Sequence, residues 1–296
     1  GIPRAPWMET AMPLCRLCQA DALHPFAQEE HQGLPYTLVH CRRCQAVQTL
    51  QHYEAVSPNY IDLPTSALDA DHLWCQSLHK QAAFQQWQAC TRPLWPDAPR
   101  PLLDVGCGTG GFLHFAAEQG WQPYGFDAST AQANYAQKKF SLVRQAVNCQ
   151  DYLQQLSDCP AFAMITLWDV LEHLRDPHTV MRQLHAALAD EGLLFLSIPN
   201  GGALFWKRFL YRLAARPLSL DPWEHVFYYA PHTLHQLLPQ WGFRVERIGS
   251  VVCYPRPWSL FELLRRSGFM LLNRFPTLAP QIYCIARKVS PQKRPA

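Results

Sequence analysis

The stretch that most narrows what this chain can fold into is Leu102-Leu103-Asp104-Val105-Gly106-Cys107-Gly108-Thr109-Gly110-Gly111-Phe112-Leu113. A short apolar run enters a loop holding four glycines and leaves into a helical apolar pattern, which reads as a buried strand, a tight bend and a helix. Side chains are missing from such a bend when a ligand must lie against the main chain. Twenty-one residues after Gly106, the next apolar run, Tyr124-Gly125-Phe126, ends in Asp127. An acid at that spacing is placed to accept hydrogen bonds from both hydroxyls of a ribose, so an adenosine-containing ligand is implied.

The rhythm set there continues. Helical patterns over 110–119, 129–139, 177–189 and 232–241 alternate with strand patterns over 123–126, 142–147, 162–168, 193–198, 243–251 and 282–286. Strands alternating with helices predict an α/β fold, a parallel sheet with helices on both faces. The composition permits it: 48% of the 296 residues are apolar and 17% charged, enough for a large core and too little charge for long disorder. Lys and Arg stand mostly as singles or pairs and the net charge is only +3, so no nucleic-acid partner is expected. No apolar run approaches the ~20 residues of a membrane span, and no leader pattern is present, which makes cytoplasmic residence the expectation.

Ahead of the alternating region stand two CxxC pairs, Cys15-Arg16-Leu17-Cys18 and Cys41-Arg42-Arg43-Cys44. Four thiolates at that spacing can enclose one tetrahedral Zn²⁺, and a module this short has too little core to fold without such a staple. A zinc ribbon over 12–52 is expected, with a structural metal because sulfur fills all four positions. Disulfides are the lesser reading in the absence of a secretion signal. Cys75, Cys90, Cys107, Cys149, Cys159, Cys253 and Cys284 are scattered among apolar neighbours and read as small core residues. Between the ribbon and the domain at 101–290 lies a helical connector, 53–100, with an amphipathic pattern from Leu68 to Ala89 and four prolines over 91–101.

The glycines also satisfy the GxGxxG pattern of a nicotinamide dehydrogenase, so they do not choose the cofactor by themselves. Asp104, two residues before the first glycine, favours one of them: a dinucleotide-binding strand usually has an apolar residue there, whereas an acid suits the amino end of S-adenosylmethionine. From Leu102 to Asn200 the chain resembles class I S-adenosylmethionine-dependent methyltransferases acting on small molecules, including those related to ubiquinone-pathway O-methyltransferases. Asp-Val-Gly-Cys-Gly-Thr-Gly resembles that family's first motif, Gly125-Phe126-Asp127 its ribose acid, and Thr166-Leu167-Trp168-Asp169-Val170-Leu171-Glu172-His173-Leu174-Arg175-Asp176-Pro177 its fourth strand and loop. The resemblance implies a Rossmann-like seven-stranded sheet whose last strand runs antiparallel. It also implies that Asp104, Gly106, Cys107 and Gly108 line the methionine end, Asp127 and Ala128 the ribose, and Trp168 and Asp169 the sulfonium. Asn148 and Cys149 align best with the adenine edge. The CxxC module resembles ribbons preceding some methyltransferase domains of bacterial sugar and secondary-metabolite pathways, although Gln19 and Gln45 stand where such knuckles usually carry glycine.

If the acceptor offers a hydroxyl or an acidic carbon, one neutral imidazole suffices to take its proton. His173, in the pair Glu172-His173 after the fourth strand, and His225 are the candidates; a loop hydrogen bond is the bland reading of each. Insertions are expected at about 201–229 and 254–279. The first carries an amphipathic basic helix with Phe205, Trp206, Phe209, Leu210 and Leu213, readable as a lid over an acceptor with apolar area or as a weak contact with a membrane surface or carrier protein. The second, with Trp258 to Phe275, would close the same pocket. The expected function is transfer of a methyl group to O, C or N of a small organic acceptor in a biosynthetic pathway. The alternatives are an NAD(P)-dependent oxidoreductase and an RNA-binding or RNA-modifying protein gripping its target with the ribbon.

Overall fold

The apolar runs become strands of one twisted sheet, with the cysteine module docked beside it. The computed structural model describes residues 13–51, 65–97, 100–156, 158, 160–213, 219–251 and 275–289. The cysteine module forms an antiparallel hairpin of β1 (Leu23–His31) and β2 (Leu34–Cys41), to which β3 (Val47–Thr49) adds. Two helices follow, α1 (Thr65–Cys75) and α2 (Leu78–Thr91). The sequence pattern reads as one helix there; Ser77 divides it, because its hydroxyl accepts from Lys80 N and caps a fresh N-terminus.

The larger sheet alternates strand and helix from β4 (Pro101–Val105) through α3 (Gly111–Glu118), β5 (Gln122–Asp127), α4 (Thr130–Gln137), β6 (Val143–Gln145), α5 (Cys149–Gln154), β7 (Phe162–Trp168), α6 (Pro177–Ala187) and β8 (Leu188–Pro199). After α7 (Ala203–Leu213) come a two-residue strand β9 (Phe227–Tyr228), α8 (Pro231–Gln240), β10 (Phe243–Ser250) and β11 (Gln281–Lys288). Spatial order is β10-β11-β8-β7-β4-β5-β6, parallel except for β11, which is antiparallel to both neighbours. The seven-stranded expectation therefore holds, including the reversed last strand. The insertion around Trp258 lies outside the described residues, apart from its end at 275–279.

Alternating side chains divide the core between the two faces of the sheet. Leu103, Val105, Ile165, Leu167, Leu194, Leu196, Ile198, Ile282 and Cys284 point to one, and Leu102, Met164, Leu193, Phe195, Tyr283 and Ile285 to the other. The second face is covered by aromatic residues of α2 and α3: Trp87, fully buried, meets Phe112 edge to face at 4.9 Å, and Phe84 lies 5.3 Å from Phe112. Each such side chain buried contributes about 1.5–3 kcal/mol, so α2 is held as part of the core.

The cysteine module joins the first face. Cys15, Leu17, Leu23, Val39, Cys41, Cys44 and Ala46 are continuous with the apolar cluster of Phe227, Tyr229, Leu234, Leu237 and Leu238. Its sheet is completed by β9, with Val47 opposite Tyr228 and Gln48 opposite Phe227. Across the same contact the Thr233 hydroxyl donates to Cys44 O at 2.7 Å, and the Arg16 guanidinium lies over the Phe227 ring at 4.8 Å. Among the described residues no helix is long and apolar enough to cross a membrane.

Candidate active site

Where β4 and β7 lie side by side the chain departs in opposite directions, and the ends of such strands leave a crevice that bound ligands occupy. Here the crevice is a cleft of about 400 Å³. Its floor is the glycine bend, in which Gly106 and Gly110 take φ of 68° and 82°. A Cβ on Gly106 would sit 2.6 Å from Val170 Cγ2, and one on Gly111 would run into Cys75 of α1. The bend is therefore side-chain-free for two reasons, ligand space on one side and the packing of α1 and the β7 loop on the other.

Two acids flank it. Asp127, at the end of β5, accepts from Gly108 N at 2.9 Å through Oδ2 and from Ser129 N at 2.8 Å through Oδ1, which fixes the carboxylate plane at the rim. Asp104 is buried and accepts from the Thr166 hydroxyl at 2.7 Å. Burial pushes its carboxyl up to about 8; the Thr166 bond opposes this, the neighbouring Asp127 adds to it, and Lys80 draws it back. A cationic ligand group at that point would be met by a carboxyl ready to ionise.

Asp169 ends β7 with φ of 56°, a left-handed conformation costly for a non-glycine residue and concentrated at functional sites. It is held from two sides: Lys80 Nζ donates to Oδ2 at 2.9 Å and Gln281 Nε2 to Oδ1 at 2.7 Å. Trp168 packs between Phe84 (5.1 Å), Phe112 (4.9 Å) and Phe195 (4.9 Å).

The cleft thus gathers Asp104, Gly106, Cys107, Gly108, Asp127, Ala128, Trp168, Asp169 and His173 from the sequence reading. Asn148 and Cys149 are not among its lining residues. Asn148 is the N-cap of α5, its amide engaged with Asp151 by bonds of 3.0 and 2.7 Å, and Cys149 is fully buried. The lining also includes Trp74, Cys75, Lys80 and Phe84 from the helical connector and Gln132 from α4, none of which the sequence reading singled out.

At the far end of β7 stand Glu172, His173 and His225. His173 Nδ1 faces Glu224 O at 2.9 Å, and since a carbonyl only accepts, Nδ1 carries the proton. Its ring lies 4.9 Å from that of His225. Burial, then the neighbouring His173, push His225 down to about 4. Glu172 is 2% exposed, neither of its carboxylate oxygens meets a hydrogen-bond partner among the described residues, and burial, reinforced by Asp169, pushes it well up. The backbone fastens the group together: Val226 N donates to Glu172 O at 2.8 Å, Thr49 N to Val226 O at 3.0 Å, and the Thr49 hydroxyl to His225 O at 3.1 Å. The cysteine module therefore holds the segment carrying His225.

In that module the four Sγ atoms lie within 4.8 Å of one another, with Cys15 to Cys44 at 3.7 Å and Cys18 to Cys41 at 3.6 Å. Zn–S bonds of ~2.3 Å in a tetrahedron place sulfurs about 3.8 Å apart, so the donor set fits that ion. The Cys44 thiol holds Cys15 down to about 5, and Cys44 is raised correspondingly. Gln19 and Gln45 adopt the left-handed conformation that glycine usually supplies, with φ of 57° and 65°. Each amide turns back on its knuckle, Gln19 Nε2 to Arg16 O at 3.3 Å and Gln45 Nε2 to Arg42 O at 2.6 Å.

Residues 70–248, more than half of the chain, match the model of a family described as a methyltransferase domain. The ubiquinone biosynthesis O-methyltransferase of Glaesserella parasuis is 30% identical over 108 residues, covering 34% of this chain and 46% of that protein. The protein of the same name from Coxiella burnetii is 29% identical over 168 residues, covering 52% of this chain and 68% of that one. The chain thus spans about half the length of the first of these relatives. Among solved structures, the plantazolicin methyltransferase BpumL with bound SAH superposes with a TM-score of 0.51 at 16% identity, over 80% of this chain and 95% of that one, a likeness of fold.

Proposed function

We propose, from the premise that this chain belongs to the methyltransferase domain family, that it transfers a methyl group from S-adenosylmethionine to O, C or N of a small organic acceptor in a biosynthetic pathway. The observation that carries the reading is the pair of acids at the glycine bend, Asp104 buried at its base and Asp127 fixed at its rim by two backbone N–H groups. Bound there, the donor would supply an electrophilic methyl carbon, whose sulfonium leaves as a neutral thioether when the acceptor's lone pair attacks in line. Asp104 would take the donor's ammonium, Asp127 and Ala128 its ribose, and Gly106, Cys107 and Gly108 its main-chain side. Trp168, held between three aromatic rings, and Asp169, clamped by Lys80 and Gln281, would border the reacting carbon. Holding donor and acceptor in line can supply much of the acceleration in such a displacement. Asn148 and Cys149 remain the proposed adenine edge, reached through the backbone at the start of α5.

The acceptor would be activated at Glu172, His173 and His225. His173 lines the cleft, and the His225 ring lies 4.9 Å from its ring, so either imidazole would serve as the base. The module over 12–52 would hold a structural Zn²⁺ on Cys15, Cys18, Cys41 and Cys44, the segment 53–100 would be a helical connector whose Trp74, Cys75, Lys80 and Phe84 border the donor, and 101–290 would form the catalytic domain. Exposed Phe209, Leu210 and Leu213 on α7, with Arg212 among them, suit an acceptor or carrier with apolar area.

Thermal unfolding in the presence of S-adenosylhomocysteine, NAD or NADP tests this. Stabilisation by the first alone is expected; stabilisation by a nicotinamide nucleotide instead overturns it. The mass of the product formed with isotopically labelled donor would then identify the acceptor.

A further inference from the structure

Gln48, in β3, stands between the four cysteines and the segment that carries His225. Its backbone pairs with Phe227 of β9, and the next residue, Thr49, donates its hydroxyl to His225 O at 3.1 Å. The Gln48 side chain is fully buried, and Arg16 N, inside the first cysteine knuckle, donates to its Oε1 at 3.1 Å. The same oxygen faces Cys15 Sγ at 3.6 Å, a contact in which only a thiol can donate. On the other side of the amide, Nε2 is buried and meets no acceptor among the described residues. A buried amide N–H left without a partner is costly and calls for an explanation.

The neighbouring sulfur supplies one. Metal binding requires Cys15 as the thiolate, so its proton goes to solvent and the sulfur accepts hydrogen bonds but donates none. Oxygen lone pairs of Gln48 would then face sulfur lone pairs. Four thiolates around one dication also leave two negative charges in excess, and Cys15, Cys41 and Cys44 are fully buried, so N–H donors are what that charge demands. The amide torsion of a glutamine is soft, and a partial turn brings Nε2 toward Cys15 while Arg16 N–H keeps its acceptor.

We propose that Gln48 is the metal-responsive residue of the cysteine module: when the four sulfurs hold their ion, its amide turns so that Nε2 donates to Cys15 Sγ while Oε1 stays on Arg16 N. This rests on the structural Zn²⁺ proposed above and adds a partner for the metal-bound sulfur. It also makes β3, which pairs with β9 and holds His225, the element that registers metal loading.

The full chain, isotope-labelled at glutamine, is loaded with Cd²⁺ enriched in its magnetic isotope and followed by nuclear magnetic resonance. The expected result is a coupling between the metal and one Nε2 proton of Gln48, transmitted across the N–H···S bond, which a purely structural role for Gln48 would not produce. Zn²⁺ affinity is measured in parallel by competition with a chromophoric chelator. Gln48→Leu, which removes the donor at similar volume, should weaken Zn²⁺ binding roughly tenfold or more, the scale on which outer contacts of metal ligands act. Loaded wild-type protein in which the Gln48 amide is uncoupled from the metal overturns the proposal, whether or not the leucine variant folds. A folded leucine variant that binds Zn²⁺ as tightly as the wild type overturns it too. Metal bound by the wild type without either effect leaves the Zn²⁺ reading standing and removes the role of Gln48; a wild-type chain that binds no metal removes both.

Discussion

Asp104 ties the chemistry of the cleft to the stability of the chain. Its carboxyl is raised from near 4 in the unfolded chain to about 8 in the fold, so the folded state binds the proton more tightly. That contribution is fully present below pH ~4 and is lost as pH rises through about 8. The ligand-free protein should therefore lose melting temperature across this window, and Asp104→Asn should flatten the profile while weakening S-adenosylhomocysteine binding at least tenfold in calorimetry. At the knuckles, Gln45 carries a left-handed backbone offset by its own amide on Arg42 O. Gln45→Ala keeps the strain and loses the bond, costing about 1 kcal/mol, whereas Gln45→Gly stays within about 0.5 kcal/mol, both read from unfolding midpoints. These residues show how far a sequence can be read. The glycine bend, Asp104 and Asp127 were legible because ligand contact excludes side chains and one βαβ unit sets the spacing. Lys80 was not, because its partner Asp169 is 89 residues away and nothing local marks it.

At the level of elements, the helices ahead of β4 act as part of the site. Their apolar spacing was visible, but it does not say which surface they cover; the close packing of Cys75 on Gly111 and of Phe84 on Trp168 decides that. Gly111→Leu should push α1 away from the bend and cost about 1–3 kcal/mol in denaturant unfolding. Lys80→Met removes a partly buried ion pair that holds Asp169, and a loss of about three- to tenfold in donor affinity is expected by calorimetry, with secondary structure unchanged by circular dichroism. The β9 strand escaped the sequence reading for a different reason. Two residues carry no period, and only pairing with β3 makes them a strand. The division of the connector at Ser77 was obscured because no glycine or proline interrupts the pattern there.

For the molecule as a whole, the cysteine module shares one apolar cluster with the seven-stranded sheet and one strand pairing with the β9 segment, so loss of the Zn²⁺ proposed for the module should be felt across the contact. Cys15→Ser or stripping of the proposed Zn²⁺ should lower the melting temperature and release the segment that Thr49 holds at His225. Turnover is then expected to fall more steeply than S-adenosylhomocysteine affinity, and an equal fall in both would contradict that coupling. His173→Ala and His225→Ala should show the same split between turnover and donor affinity.

The pairing of Val47 with Tyr228 also sets an order of events at the ribosome. At ~5–20 residues per second, β9 emerges on the order of 10–40 s after β3. Through that interval the newborn knuckles have an unpaired strand edge beside them. A metal captured early would keep this edge in register while the rest of the polypeptide is still being made.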